Sequence, residues 1–118
     1  MVASAVVRSS WAAQVFDPET KTVSRGVLRR LNEVVAELQG PPVSEKKATL
    51  MFAYLQASQE RAERMSEAIF LDSWVKGGWK EDPFLSHVAE IRAWDWGQMF
   101  AVWNRAVAQV AMEYSSRE

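Results

Sequence analysis

The chain has 118 residues, a formal net charge of −1 and no cysteine, and 48% of its residues are hydrophobic. This composition is typical of one globular domain, here expected to span residues 1–118, and it argues against disorder. The missing cysteine excludes disulfides, thiolate catalysis and cysteine-bound metals, and the near-neutral charge provides no global attraction to nucleic acid or anionic lipid. No apolar run is long enough for a signal peptide or a transmembrane helix, so we expect a cytoplasmic protein.

The first predicted element ends at the first proline. An apolar face recurs at four-residue steps, which favours a helix over residues 2–16, and it consists of Ala3, Val7, Trp11 and Val15. A pair of adjacent valines leaves a short strand possible in the same segment. The pattern stops before Pro18, because the residue that precedes a proline is pushed out of the helical region.

The second predicted helix has the clearest periodicity. Its apolar stripe consists of Val27, Leu28, Leu31, Val34, Val35 and Leu38. Ser24 or Thr22 can cap its start, and Gly40 before two prolines is a stop signal. On the polar face, Arg29 and Glu33 are spaced for an ion pair four residues apart.

The third predicted helix runs from about residue 45 to residue 75, with Ser44 as its cap. Its apolar stripe consists of Met51, Leu55, Ser58, Ala62, Met65 and Ile69, and its solvent side includes Gln59, Glu60 and Arg61. At 1.5 Å per residue this helix would be ~45 Å long. A compact chain of this size is only ~35 Å across, so the helix must bend or overhang the body.

The C-terminal part begins after a glycine loop over residues 76–80. Asp82 and Pro83 can start a new helix there, and Asp95 followed by Gln98 fits a capping box that would divide the segment. The last stripe recurs at four- and three-residue steps and consists of Trp96, Phe100, Trp103, Val107, Val110 and Tyr114. Since apolar residues also flank this stripe, the helix must be central or lie in an interface. The whole pattern predicts an all-α bundle of four to five helices, one or two of them long.

Catalytic chemistry is not indicated. His87 is the only histidine, and no nucleophile or metal-ligand motif accompanies it. Ser44 and Lys47 match a Ser-x-x-Lys pattern, but a helix cap explains Ser44 better. The glycine pair before Trp79 lacks the rest of a phosphate-binding loop. We therefore expect a protein that is not an enzyme and that uses no cofactor or metal.

Six tryptophans in so short a chain favour a role in binding another protein, because tryptophan is enriched where protein surfaces meet. Trp79, on the glycine loop and flanked by lysines, is the hardest of them to explain as core. The aromatic stripe of the last helix has two interpretations, core or interface. The predicted protein-interaction residues are Trp74, Trp79, Trp94, Trp96 and Trp103.

The alternative hypothesis is contact with RNA or DNA. Basic residues concentrate around the second helix, although nearby glutamates offset them, and the candidate nucleic-acid residues are Arg25, Arg29, Arg30, Lys46 and Lys47. In length, helical character and its arginine-bearing early helix, the chain loosely resembles the small helical subunits of type III CRISPR effector complexes. The resemblance implies RNA contact through Arg25, Arg29 and Arg30, and no further site is carried over.

The leading hypothesis is therefore a non-catalytic helical interaction protein, such as an adaptor, an inhibitor or an assembly subunit. Its partner would be another protein or a multi-subunit complex, and a homo-oligomer is also possible. A nucleic-acid-contacting subunit of a larger complex is the alternative. No membrane association is expected.

Overall fold

The computed structural model describes residues 9–62, 65–77 and 98–115, and these residues form five helices. The helices are α1 (Ala12–Val15), α2 (Arg25–Glu37), α3 (Glu45–Arg61), α4 (Glu67–Val75) and α5 (Gln98–Ser115). Within these ranges the only β-type pairing is an isolated bridge between Phe16 and Val23. The all-α prediction is confirmed, with α3 and α5 as the long helices. No helix of the described residues is long and apolar enough to cross a membrane.

Helix α5 is the centre of the bundle. It contacts each of the other four described helices, and five of its side chains are completely buried: Ala106, Val107, Ala108, Val110 and Ala111. A helix that is apolar around much of its circumference must be surrounded by protein. Of the two positions that the sequence allows, α5 therefore takes the central one.

Helix α1 is much shorter than the helix predicted for residues 2–16, of which residues 2–8 lie outside the described part. It comprises only Ala12–Val15, and Phe16 after it is extended. The end of the helix before Pro18 is as predicted. Trp11, at the start of α1, is completely buried and packs against Phe52 of α3 with ring centroids 5.9 Å apart.

Helix α2 ends in a Schellman motif, but its glycine is not the residue in the left-handed conformation. Gln39 has a φ of 63°, and the N–H groups of Gln39 and Gly40 donate to the carbonyls of Ala36 and Val35. Gly40 is required instead because neighbouring side chains leave no room for a Cβ atom at this position. A Cβ built on it would lie 2.8 Å from Cγ1 of Val102 and 3.1 Å from Cγ1 of Val35. The loop after α2 therefore packs directly on α5.

The prediction of one helix from residue 45 to residue 75 is wrong. Helix α3 ends at Arg61, and α4 begins at Glu67 with a new cap, in which the Ser66 side chain accepts a bond from the Ile69 N–H. Satisfying free N–H groups in this way stabilises a second helix start. The break turns a different face of the chain inward, so that Phe70, Leu71 and Trp74 are buried.

Three residues differ in exposure from what periodicity predicted. Met65 and Ile69 continue the predicted apolar stripe but are exposed. Gln59, predicted on the solvent side, is completely buried. Only the first part of the stripe, which includes Met51 and Leu55, lies in the core as expected.

The remaining boundaries agree with the sequence wherever the structure describes them. Ser44 caps α3 by accepting a bond from the Lys47 N–H, whereas Ser24 precedes α2 without a side-chain capping bond. Helix α4 ends before Gly77, whose φ is 104°. The predicted helix start at Asp82 and capping box at Asp95 lie outside the described residues.

The close approach at Gly40 can be tested with a matched pair of glycine variants. Gly40→Ala should lower the free energy of unfolding by about 1–3 kcal/mol, because the new methyl group overpacks against Val102 and Val35. Gly26→Ala, where a Cβ meets nothing within 4 Å, should instead be neutral or stabilise α2 by up to about 1 kcal/mol. Urea unfolding of both variants measures the difference, and equal effects would contradict the crowded site at Gly40.

Candidate interaction surfaces

The three tryptophans within the described residues are internal. Trp11, Trp74 and Trp103 are exposed by 0%, 3% and 8%, and each indole N–H donates to an acceptor on another element. The acceptors are Oε1 of Gln59 at 3.0 Å, Oδ1 of Asn104 at 3.3 Å and the carbonyl of Pro41 at 3.0 Å. Buried indoles normally find such partners.

Two of the predicted protein-interaction residues, Trp74 and Trp103, therefore lie in the core of the fold. Trp74 packs with Tyr54 and Phe70, at centroid distances of 5.7 Å and 5.3 Å, and so joins α3 to α4. Trp103 is covered by the α2–α3 loop. Both rings are therefore structural in this fold. The other three predicted interaction residues, Trp79, Trp94 and Trp96, lie outside the described residues.

The structure instead exposes an apolar surface at the start of α4. Met65 is 39% exposed and Ile69 is 62% exposed, and Ala68 between them is also exposed. We call these three residues the α4 entry patch. Isoleucine is one of the residue types most often buried. Sequence periodicity placed Met65 and Ile69 in the core, so only the Ser66-Glu67 pair, which repeats the Ser44-Glu45 start of α3, could have signalled the patch.

A polar network holds the chain at this point. Gln59 donates from Nε2 to Oε1 of Glu67 at 2.8 Å while accepting from Trp11. The Ser10 backbone N–H and hydroxyl donate to the same Glu67 carboxylate, at 3.0 Å and 2.5 Å. The network joins the segment before α1, the end of α3 and the start of α4. It thereby fixes the direction in which α4 leaves the break and turns Ile69 to solvent.

The network should be sensitive to loss of Gln59. Gln59→Leu preserves volume but leaves the Trp11 N–H without its acceptor, so the free energy of unfolding should fall by about 2–3 kcal/mol. The control is Gln56→Leu on the same helix, where the half-buried amide donates to Glu60 and to no other described residue. That change should stay within about 0.5 kcal/mol. Denaturant unfolding of the two variants would refute the network if their stabilities were the same.

The five basic residues predicted to contact nucleic acid fall into two groups, those with a partner inside the fold and those that are exposed. Nε and Nη2 of Arg30 donate to the Glu113 carboxylate of α5 at 2.9 Å and 2.8 Å, and Nη1 donates to Glu33 at 3.1 Å. These hydrogen bonds, mainly those to Glu113 and then the one to Glu33, raise the pKa of Arg30 above its ordinary value. Glu33 pairs with Arg30 and not with Arg29 as its spacing predicted. Arg30 therefore ties α2 to α5.

Lys47 is also occupied structurally, since its ammonium lies 5.1 Å from the centroid of the Trp103 ring in a cation–π arrangement. Arg25, Arg29 and Lys46 are exposed and form no ion pair within the described part of the chain. The loops that precede α2 and α3 are held by hydrogen bonds from the Val23 N–H to Thr49 of α3 and between Asn32 of α2 and Val43.

The exposed charges of α2 oppose its helix dipole. Arg25 and Arg29 lie in the N-terminal half, where the dipole favours anions, and Glu33 and Glu37 lie in the C-terminal half, where it favours cations. All four side chains are exposed and follow one another at four-residue steps. We call this row the α2 ridge. Its arrangement does not stabilise the helix that carries it.

Metal chemistry has no candidate in the described ranges, where no group of three or more His, Asp or Glu residues could hold an ion. His87 lies outside these ranges.

The two kinds of arginine should differ in their effect on stability. Arg30→Ala should lower the free energy of unfolding by about 1 kcal/mol, since the pair with Glu113 is bidentate but one-third exposed and therefore partly screened. Arg25→Ala removes a cation from the unfavourable end of the helix dipole and should leave stability unchanged or slightly higher. Thermal unfolding distinguishes them, and a loss at Arg25 as large as at Arg30 would contradict this division.

Comparison with known proteins finds no family model, no curated protein and no solved structure that matches this chain.

Proposed function

We propose that this protein is a non-catalytic helical interaction protein that binds another protein through the α4 entry patch. The observation that supports the proposal most is the exposure of Ile69, with Met65 beside it, in a fold whose other large apolar side chains are half-buried or buried where they are described. Apolar side chains grouped on a surface mark binding sites more often than single ones do. The partner would contact the patch with an apolar side chain of its own. We expect this interaction to take place in the cytoplasm.

The hydrogen bonds that hold the α4 entry patch also support this proposal. Ser66 caps α4 immediately beside Met65 and Ile69, and the Glu67 network ties the same turn to the segment before α1 and to α3. A partner that binds here does not have to order the backbone first. Binding to a preorganised surface loses less conformational entropy, so a small patch can contribute more to affinity.

The second candidate function is contact with RNA or DNA in a larger complex, including the CRISPR-type assemblies that the early arginine helix resembles. It is supported by the exposure of Arg25, Arg29 and Lys46 without ion-pair partners among the described residues. It ranks second because Glu33, Glu37 and Glu45 are exposed alongside them. Those carboxylates would repel a polyanion that followed the same surface.

A quantitative pull-down from native-host extract, with and without nuclease, tests both candidates. We expect protein partners that resist nuclease and are depleted at least tenfold by Ile69→Asp, because a carboxylate in an apolar contact costs more than about 1.4 kcal/mol. Ala53→Asp introduces the same carboxylate at an exposed site of α3, and this variant should still recover the protein partners. Partners that survive Ile69→Asp but disappear with nuclease would overturn the first candidate in favour of the second. Circular dichroism of both variants checks that the fold is intact.

A further inference from the structure

We infer that the α2 ridge is a homodimer interface in which two copies of this chain pair their α2 helices in antiparallel orientation. The inference does not rest on the proposed function, because the ridge and the α4 entry patch share no residue. It begins from the order of charges on the exposed face of α2. Arg25 and Arg29 are followed, at the same four-residue step, by Glu33 and Glu37.

This order is self-complementary. In an antiparallel pair related by a two-fold axis through the middle of the ridge, position 25 faces position 37 and position 29 faces position 33. Each arginine then meets a glutamate of the second copy, which gives four ion pairs from one repeated contact. Such two-fold interfaces, with one surface used twice, are the commonest in homo-oligomers. A parallel pairing would oppose like charges and is disfavoured.

The geometry of α2 places that axis correctly. The ridge extends for ~18 Å along the helix at 1.5 Å per residue, and its centre is position 31. Leu31 itself is completely buried, so the middle of the exposed face lies on the opposite side of the helix. The exposed small residues Gly26 and Ala36 are related by the same symmetry, since both are five positions from residue 31. They leave room for the second helix to approach.

The dimer also gives a physical reason for charges that oppose the helix dipole. In one copy, Arg25 lies beside the positive end of its own helix and Glu37 beside the negative end. In the antiparallel pair, Arg25 lies beside the negative end of the other α2 helix and Glu37 beside its positive end. An arrangement that is unfavourable within one chain thus becomes favourable between two. Glu33 can take part because only its Oε1 is used by Arg30.

The area available on one helix face is small, so we expect a weak dimer that depends on ionic strength. Sedimentation equilibrium at low salt should show an average mass that rises with protein concentration from the monomer value of 13.4 kDa towards twice that value. In roughly 1 M salt, where the Debye length is about 3 Å, the mass should return to that of the monomer. A wild-type protein that stays monomeric at low salt over the whole concentration range would overturn the inference.

Charge-reversal variants give the decisive comparison. The double variants R25E/R29E and E33R/E37R should each be monomeric alone, because each ridge then carries one sign. Their equimolar mixture should form a heterodimer. The fourfold variant R25E/R29E/E33R/E37R restores four ion pairs and should dimerise, but more weakly than the wild type, because its charges oppose the dipole of the second α2 helix. Failure of the mixture to associate, with both variants folded by circular dichroism, would contradict the pairing.

A polyanion is the competing occupant of this surface. Fluorescence anisotropy with a labelled single-stranded DNA oligonucleotide tests it on the same variants. For a dimer surface, we expect no binding that follows the ridge charges. Binding by the wild type that R25E/R29E abolishes and E33R/E37R strengthens would assign the arginines to nucleic acid and overturn the dimer.

Discussion

Indole N–H groups that are buried away from water need acceptors, and the arrangement of helices in this protein depends on that need. Trp11, Trp74 and Trp103 each donate to a group on another element, so that each buried ring also fixes the position of one element against the next. A helix that moved by a few ångströms would leave an N–H group unpaired in an apolar interior, at a cost of about 1–3 kcal/mol. Apolar packing alone is less directional. The tryptophans therefore specify the bundle as well as fill it.

The break between α3 and α4 shows how local hydrogen bonding can override periodicity. A continuous helix would keep Met65 and Ile69 with the core stripe, but it would leave Phe70, Leu71 and Trp74 elsewhere. Ending α3 at Arg61 and capping α4 with Ser66 brings these three side chains inside. The exposed α4 entry patch results from the same choice. The protein thus exposes two apolar side chains where it gains three buried ones.

The sequence predicts the elements of this fold better than it predicts their contacts. Spacing and local chemistry predict helix α2 and the cap at Ser44. They also predict that α5 is either central or part of an interface. The break does not, because the apolar stripe continues through it at helical spacing. Nor could local rules find the partner of Arg30, since Glu113 is 83 residues away in the chain.

The candidate interaction surfaces were also harder to predict from the sequence than the helices. The number of tryptophans predicted an interaction role for Trp74 and Trp103, but it could not predict that both rings lie inside the protein. The α4 entry patch and the division of the basic set depend on which side chains meet across the bundle. Such contacts are set by tertiary packing, which no periodicity measures. By contrast, the charge order of the α2 ridge is fully legible in the sequence and needed only the knowledge that this face is exposed.

The central position of α5 also governs the order in which the protein can be made. Chain synthesis proceeds from the N-terminus, so α1 to α4 emerge before the helix on which all four pack. Until α5 follows, their inward faces have no common partner, and contacts such as that between Gln14 and Tyr114, 100 residues apart, cannot form. The side chains of α1 to α4 that pack on α5 therefore lack that partner until residues 98–115 have been synthesised.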